Sequence, residues 1–284
     1  MKKMFTIFLV IFGILVFPKI YSYTTKGGEN ISKEKVSFSQ VPQALEKPVQ
    51  ILLSCPPAKE LLSHLQLQGN IELVYFPFGE NGSNAMWRGD SRKIIINSSK
   101  SNSIPIFLRS ILFEMHNASS HDQFIQLDSM ARHNQIDKEN YVQRVEQIEH
   151  QNALKTMTLI NWAIQNHYFP RTTRWNIVRN FEDHYRVQQL TGHAQFIAKV
   201  YDQLNHCGQR APYKGTIQVH LFSRTQKQQM LTFLSLKDQL ENGSAHEKSL
   251  AKETLLSLGR TSDASLFRHV FRDTKFYNDF ILNV

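Results

Sequence analysis

The chain has 284 residues, of which 41% are hydrophobic, and it carries a formal net charge of +9. This length fits one large domain or two small ones, and the apolar content is sufficient for a packed core. Basic residues are scattered among acidic ones, without the run of like charges typical of a tail that binds nucleic acid or a membrane. No nucleic-acid partner is therefore expected.

The N-terminus has the layout of a secretory signal peptide. Lys2 and Lys3 precede a mostly apolar run from Met4 to Phe17, and cleavage is expected after Ser22. The run is shorter than the roughly 20 apolar residues that a spanning helix needs. An uncleaved anchor is the alternative.

The sequence thus predicts an exported protein, whether periplasmic, in the cell envelope or secreted, with no membrane span once the signal is removed. Residues 1–22 are the predicted signal peptide. Residues 23–50, which are polar and contain a Gly pair and two prolines, are predicted to be a linker or arm. Residues 51–284 are predicted to form a single, mainly helical domain.

The predicted domain begins with a short helix after Pro56 and continues with two strands near residues 71–97, "NIELVYFPF" and "SRKIIIN". A connection of about a dozen residues, rich in turn formers, separates the strands. A helix beginning at Ile104 follows, with Ser103 as its cap and Pro105 in its first turn. Its apolar residues recur at helical spacing, so we expect it to be deeply packed.

Most of the remaining chain is predicted to be helical. Helices are expected over residues 121–135, within 137–169, over 174–190 and 192–206, and as a pair on either side of Asn242 and Gly243, with one strand at 215–222. The predicted fold class is α+β, predominantly α-helical, with a small two- or three-stranded sheet followed by a helical bundle.

Two strands followed by a buried helix with the sequence "FEMHNA" resemble the start of the zincin metallopeptidases, whose active-site helix carries HExxH. In that motif two histidines four residues apart hold zinc, and the glutamate polarises the bound water. Glu114 matches this general base, but Phe113 and Asn117 occupy the ligand positions. His116 lies one residue before the second position and points about 100° away on a helix. The resemblance implies a zincin-like core without its zinc ligands, that is, a pseudoenzyme.

The chain also resembles uncharacterised exported bacterial proteins in which an FE-x-x-NA helix is followed by an E-x-x-E helix. Here the second helix contains Glu146 and Glu149, with His150 beside them. If the two helices pack together, these carboxylates meet Glu114 and form a cluster of a kind that binds Fe, Mn or Zn. The alternative is a solvated glutamate face paired with residues such as Arg144.

Further polar residues are candidates for the same pocket. His193 follows a glycine at a helix start and can face a cleft, so we expect Glu114, Glu149 and His193 to line a shared pocket. His116 and Asn117 also belong to the candidate pocket. The alternatives are a surface or capping role for His116 and a helix-ending or backbone-bonding role for Asn117.

The two cysteines, Cys55 and Cys207, can form one disulfide in an exported protein. Two free, buried thiols are the alternative, because sequence spacing does not show whether the two residues approach within bonding distance.

Three functions are compatible with the sequence. The first is a non-catalytic binding or structural protein on a zincin-like scaffold, with a protein or peptide in its groove. It is expected to have no cofactor, but the carboxylates do not exclude a metal. The second is a hydrolase with an atypical carboxylate and histidine site around Glu114. The third is a cell-envelope module that binds anionic polymers. A phosphate-binding loop, a G-x-S-x-G nucleophile turn and paired CxxC motifs are all missing from the sequence.

Overall fold

The computed structural model describes residues 36–78, 83–100, 103–205 and 224–261. The predicted signal peptide, the predicted strand at 215–222 and Cys207 lie outside these residues. Among the described helices, none has the length and apolar character needed to cross a membrane.

The described residues confirm an α+β chain in which helices predominate. The helices are α1 (Glu46–Ser54), α2 (Pro56–Gln66), α3 (Ile104–Ser119), α4 (His121–Arg132), α5 (Lys138–Gln165), α6 (Phe181–Thr191), α7 (His193–Leu204), α8 (Arg224–Asn242) and α9 (Ala245–Thr261). The strands are β1 (Glu72–Phe76), β2 (Ala85–Arg88) and β3 (Lys93–Asn97).

The sheet is mixed and has the strand order β1-β3-β2. β1 and β3 run parallel, whereas β2 lies antiparallel to β3. β2 falls within the segment that the sequence predicted to be a connection, and that prediction was incomplete. A strand of four residues between turn formers is too short for its alternation of apolar and polar residues to stand out.

The prediction that residues 23–50 form a linker is wrong for the part that the structure describes. A 3-10 turn at Gln43–Leu45 leads directly into α1, and the side chains of Leu45 and Val49 are buried. Pro48, which suggested a break, lies in the first turn of α1, where proline's missing N–H removes no helical hydrogen bond.

Two groups of buried apolar side chains stabilise the described residues. The first lies among the sheet, α1, α2, α3 and the C-terminal part of α5. The second lies among α4, the N-terminal part of α5, and α7. The 28-residue helix α5 contributes to both groups, so its middle lies where they meet.

α3 forms as its sequence predicts, beginning at Ile104 with Pro105 in its first turn. Its apolar stripe is buried and includes Phe107, Leu108, Ile111, Leu112 and Met115. Glu114 is buried with them, being only 5% exposed. A carboxylate in such surroundings requires partners, because burying an unpaired charge is costly.

Candidate functional site

Three helices that pack side by side bring four ionisable side chains together at the middle of α5. Glu114 comes from α3, Glu146 and Glu149 come from α5, and His193 comes from α7. α5 packs against both α3 and α7, which are separated from each other by more than 70 residues of chain. The site is therefore a product of tertiary packing.

The centre of the site is a triad formed by Glu146, Glu149 and His193. His193 Nδ1 lies 3.0 Å from Glu146 Oε1 and 3.7 Å from Glu149 Oε2. One potential ligand atom from each residue lies within 4.8 Å of the other two. The Glu146 side chain is fully buried, whereas those of Glu149 and His193 are 23% and 35% exposed, so the triad is open to solvent on one side.

Local sequence explains how each member of the triad is placed. Glu146 and Glu149 are three residues apart on α5 and therefore share one face of the helix. Gly192 adopts a left-handed conformation, with φ of 89°, which ends α6 and allows the chain to begin α7 at once. His193 is the first residue of α7 and is directed towards α5.

One carboxylate oxygen of the triad has no hydrogen-bond partner in the part of the chain that the structure describes. Glu146 Oε2 is inaccessible to solvent and accepts no hydrogen bond from any residue that the structure describes. Buried carboxylate oxygens are almost always hydrogen-bonded or bound to a metal, because their desolvation is otherwise uncompensated. This oxygen is an indication that a ligand belongs at the triad.

Glu114 lies beside the triad in a different environment. Its Oε2 accepts a hydrogen bond of 3.0 Å from Asn117 Nδ2, and its carboxylate accepts another from the backbone N–H of Trp87 in β2. Asn152 Nδ2 donates to Asn117 Oδ1 at 3.1 Å, and the Ser120 hydroxyl donates to Asn152 Oδ1 at 3.0 Å. All donors in this chain of hydrogen bonds point towards Glu114.

Burial and an excess of carboxyl groups over cations together determine the electrostatics of the site. Burial raises the pKa of Glu114 to about 7 against the opposing hydrogen bond from Asn117, and the charge of Glu149 raises it further. Burial also raises the pKa of Glu149 to about 7, while the charge of His193 opposes the shift. The pKa of Glu146 is also raised by burial.

His193 is the cation of the site. Burial favours its neutral form, but the hydrogen bond to Glu146 and the charges of Glu149, Glu146 and Glu114 outweigh burial and raise its pKa to about 9. A single imidazolium thus faces three carboxyl groups, and two of them, Glu114 and Glu149, have a pKa of about 7. An added positive charge at this point is electrostatically favoured.

The other predicted pocket residues, Asn117, His150 and His116, are not members of the triad. Asn117 is buried and bonds Glu114 instead of ending the helix. His150 interacts with the Val178 carbonyl through its Nε2 at 2.8 Å. The Nε2 of His116 is buried without a hydrogen bond to the described residues, and burial, with the charge of Lys155, lowers the pKa of this histidine to about 4.

Sequence reasoning did not identify every residue of the site. Ser120 and Asn152 were not singled out, although Asn152 follows Glu149 by three residues on the same helix and helical spacing indicates their proximity. Trp87 contributes a backbone N–H, and no residue pattern specifies such a contact.

Cys55 is a buried thiol with no exposed surface, and its burial raises its pKa. Its predicted partner, Cys207, lies outside the described residues, so a disulfide between them stays a prediction.

Comparison with protein families, with curated proteins and with solved structures found no match for this chain.

Proposed function

We propose that this protein binds a divalent first-row transition-metal ion through Glu146, Glu149 and His193. The observation that carries the proposal is the buried carboxylate of Glu146, a member of the triad, whose Oε2 has no hydrogen-bond partner among the described residues. A bound cation would supply that partner. It would displace the proton of His193, because only the neutral imidazole ligates a metal, and would replace one positive charge with two.

The distances in the triad are compatible with a shared ion. Ligand atoms about 2.1 Å from a metal in tetrahedral geometry lie about 3.4 Å from one another. The observed separations of 3.0 and 3.7 Å from His193 Nδ1 to the two carboxylates bracket this value. Small rotations of side chains would therefore suffice, and the exposed side of the triad leaves positions for water or a further ligand.

The chemistry of the donors limits the choice of ion. An imidazole nitrogen favours Zn, Fe, Ni or Cu, and carboxylates are compatible with Mn, Fe and Zn. Calcium and magnesium prefer sites built from oxygen alone. We therefore expect Mn²⁺, Fe²⁺ or Zn²⁺ to bind, and Mg²⁺ to bind far more weakly.

The test is isothermal titration of the chelator-treated protein with Mn²⁺, Fe²⁺, Zn²⁺ and Mg²⁺. One transition-metal ion per chain is expected, and Glu146→Gln or Glu149→Gln should lower its affinity at least about tenfold, because each removes a charged ligand. Glu253→Gln, which changes an exposed carboxylate of α9, is the matched control and should bind as the parent does. Equal affinity in the parent and in both triad variants would overturn the proposal.

A second function, metal-assisted hydrolysis, is favoured by the position of Glu114. The charges of Glu149 and His193 affect the pKa of this carboxylate, so it lies near the triad. It is not a member of the triad and accepts hydrogen bonds from Asn117 and from the backbone of Trp87. A carboxylate so placed would serve as the general base, and a bound ion would supply the activated nucleophile. The zincin resemblance, in which Glu114 matches the general base, supports the same role.

Glu114→Gln separates the catalytic function from simple binding. The metal-loaded parent and variant would be compared on chromogenic esters, phosphoesters and peptides. Hydrolysis predicts that the variant retains the metal and loses at least about a hundredfold in rate. Equal turnover by the two proteins would contradict a role for Glu114, and metal binding without any turnover would leave a non-catalytic binding protein as the function.

A further inference from the structure

A cleft of about 410 Å³ lies between α4 and α5. Four glutamines line it, Gln123 and Gln126 from α4 and Gln147 and Gln151 from α5, together with Arg144. This volume is in the range of cavities that hold small organic ligands. All five of these polar residues are exposed, so the cleft is a groove open to solvent between the two helices.

The lining residues are placed by helical periodicity. Arg144, Gln147 and Gln151 follow the spacing that puts residues on one face of α5. Glu146 and Glu149 lie on the opposite face, because each residue advances the direction by about 100°. The cleft is therefore separate from the metal triad, and a ligand in it would not touch that site.

The polar groups of the cleft are available to a ligand. Within the described part of the chain, Arg144 forms no ion pair, and the four glutamine side chains make no hydrogen bond. Each amide offers both donors and an acceptor, and the guanidinium offers a planar set of donors that fits a carboxylate. None of the described lining residues is acidic.

Apolar side chains complete the lining. Leu127 is buried and Ile148 is half-buried, and both contribute to the cleft between its polar residues. A sugar ring has the matching character, since its hydroxyl groups bond amides while its C–H groups pack on aliphatic carbon. The cleft has no aromatic side chain among the described lining residues on which a nucleobase would stack.

From this arrangement we propose that the cleft binds a sugar acid, that is, a saccharide unit with one carboxylate, with Arg144 on the carboxylate and the glutamines on the hydroxyl groups. One guanidinium among neutral amides matches a single negative charge better than a polyphosphate. A free amino acid is a poorer fit, because its ammonium group would find no carboxylate in the described lining. This proposal is independent of the metal proposal.

The experiment measures binding of glucuronate, glucose and glutamate to the full chain by ligand-observed NMR titration. Glucuronate should bind most tightly, glucose more weakly, and glutamate least. Arg144→Gln should weaken glucuronate about tenfold, because it removes a charge-assisted hydrogen bond, and should leave glucose unchanged. Gln147→Ala combined with Gln151→Ala should weaken both sugars.

A control accompanies these variants. Arg171→Gln changes an exposed arginine outside the cleft and should bind all three ligands as the parent does. The proposal is overturned if neither sugar binds, if glutamate binds best, or if Arg144→Gln binds glucuronate as tightly as the parent.

Discussion

At the scale of single residues, the question posed by the sequence was how a glutamate on an apolar helix is satisfied. The partners of Glu114 are Asn117 on the same helix and the backbone N–H of Trp87. Asn152 on α5 acts indirectly. Its Nδ2 donates a hydrogen bond to the side-chain Oδ1 of Asn117, which orients the Nδ2 of Asn117 towards Glu114. The two asparagines thus let a carboxylate lie among apolar side chains beside the triad.

Asn152→Ala tests this chain of hydrogen bonds. The substitution leaves the buried Asn117 Oδ1 without its donor and the Ser120 hydroxyl without its acceptor, so we expect a loss of about 1–3 kcal/mol in the free energy of unfolding, measured with urea. Thr158→Ala, which removes an exposed hydroxyl on the same helix, is the control and should change stability by less than about 0.5 kcal/mol. A loss no larger than that of the control would mean that the asparagines do not support Glu114.

At the scale of elements, the helix starts and apolar faces were predictable from the sequence, whereas the packing of one helix on another was not. α3 was predicted from Ile104 because Pro105 and the apolar spacing are local signals. The approach of α7 to the middle of α5 depends on contacts between residues far apart in sequence. The hypothesis of a pocket containing Glu114, Glu149 and His193 required the helices to fold back, and spacing alone did not specify this.

The junction of α6 and α7 places His193, and Gly192 determines that junction. Gly192→Ala should cost about 1–2 kcal/mol, because a Cβ is disfavoured at a φ of 89°, and it should also weaken metal binding by displacing His193. Gly192→Asn should be milder on both counts, because asparagine tolerates the left-handed conformation better. Unfolding and metal titration of the two variants provide the comparison, and equal effects would show that backbone conformation is not the cause.

At the scale of the whole molecule, the site lies where the two apolar cores meet. Residues of α5 on one side of Glu146 contribute to one core and residues towards its C-terminus contribute to the other. Glu114 adjoins Met115 of the first core, and His193 adjoins Ala194 of the second. The composition predicted that a packed core would exist, but its division into two groups around a polar centre depends on tertiary contacts.

This position predicts that a bound ion stabilises the entire fold. The ligands come from helices distant in sequence, so the unfolded chain lacks the preformed site and binds the ion more weakly. An ion present at a hundredfold excess over its dissociation constant then adds about 2.7 kcal/mol to stability, which raises the melting temperature of a protein of this size by about 5–10 °C. Calorimetry with and without the ion measures the shift. Arg144→Gln should retain it, since the cleft lies on the other face of α5, and Glu149→Gln should lose most of it. A shift of equal size in Glu149→Gln would show that the ion binds elsewhere. The ion would then not connect helices of the two cores.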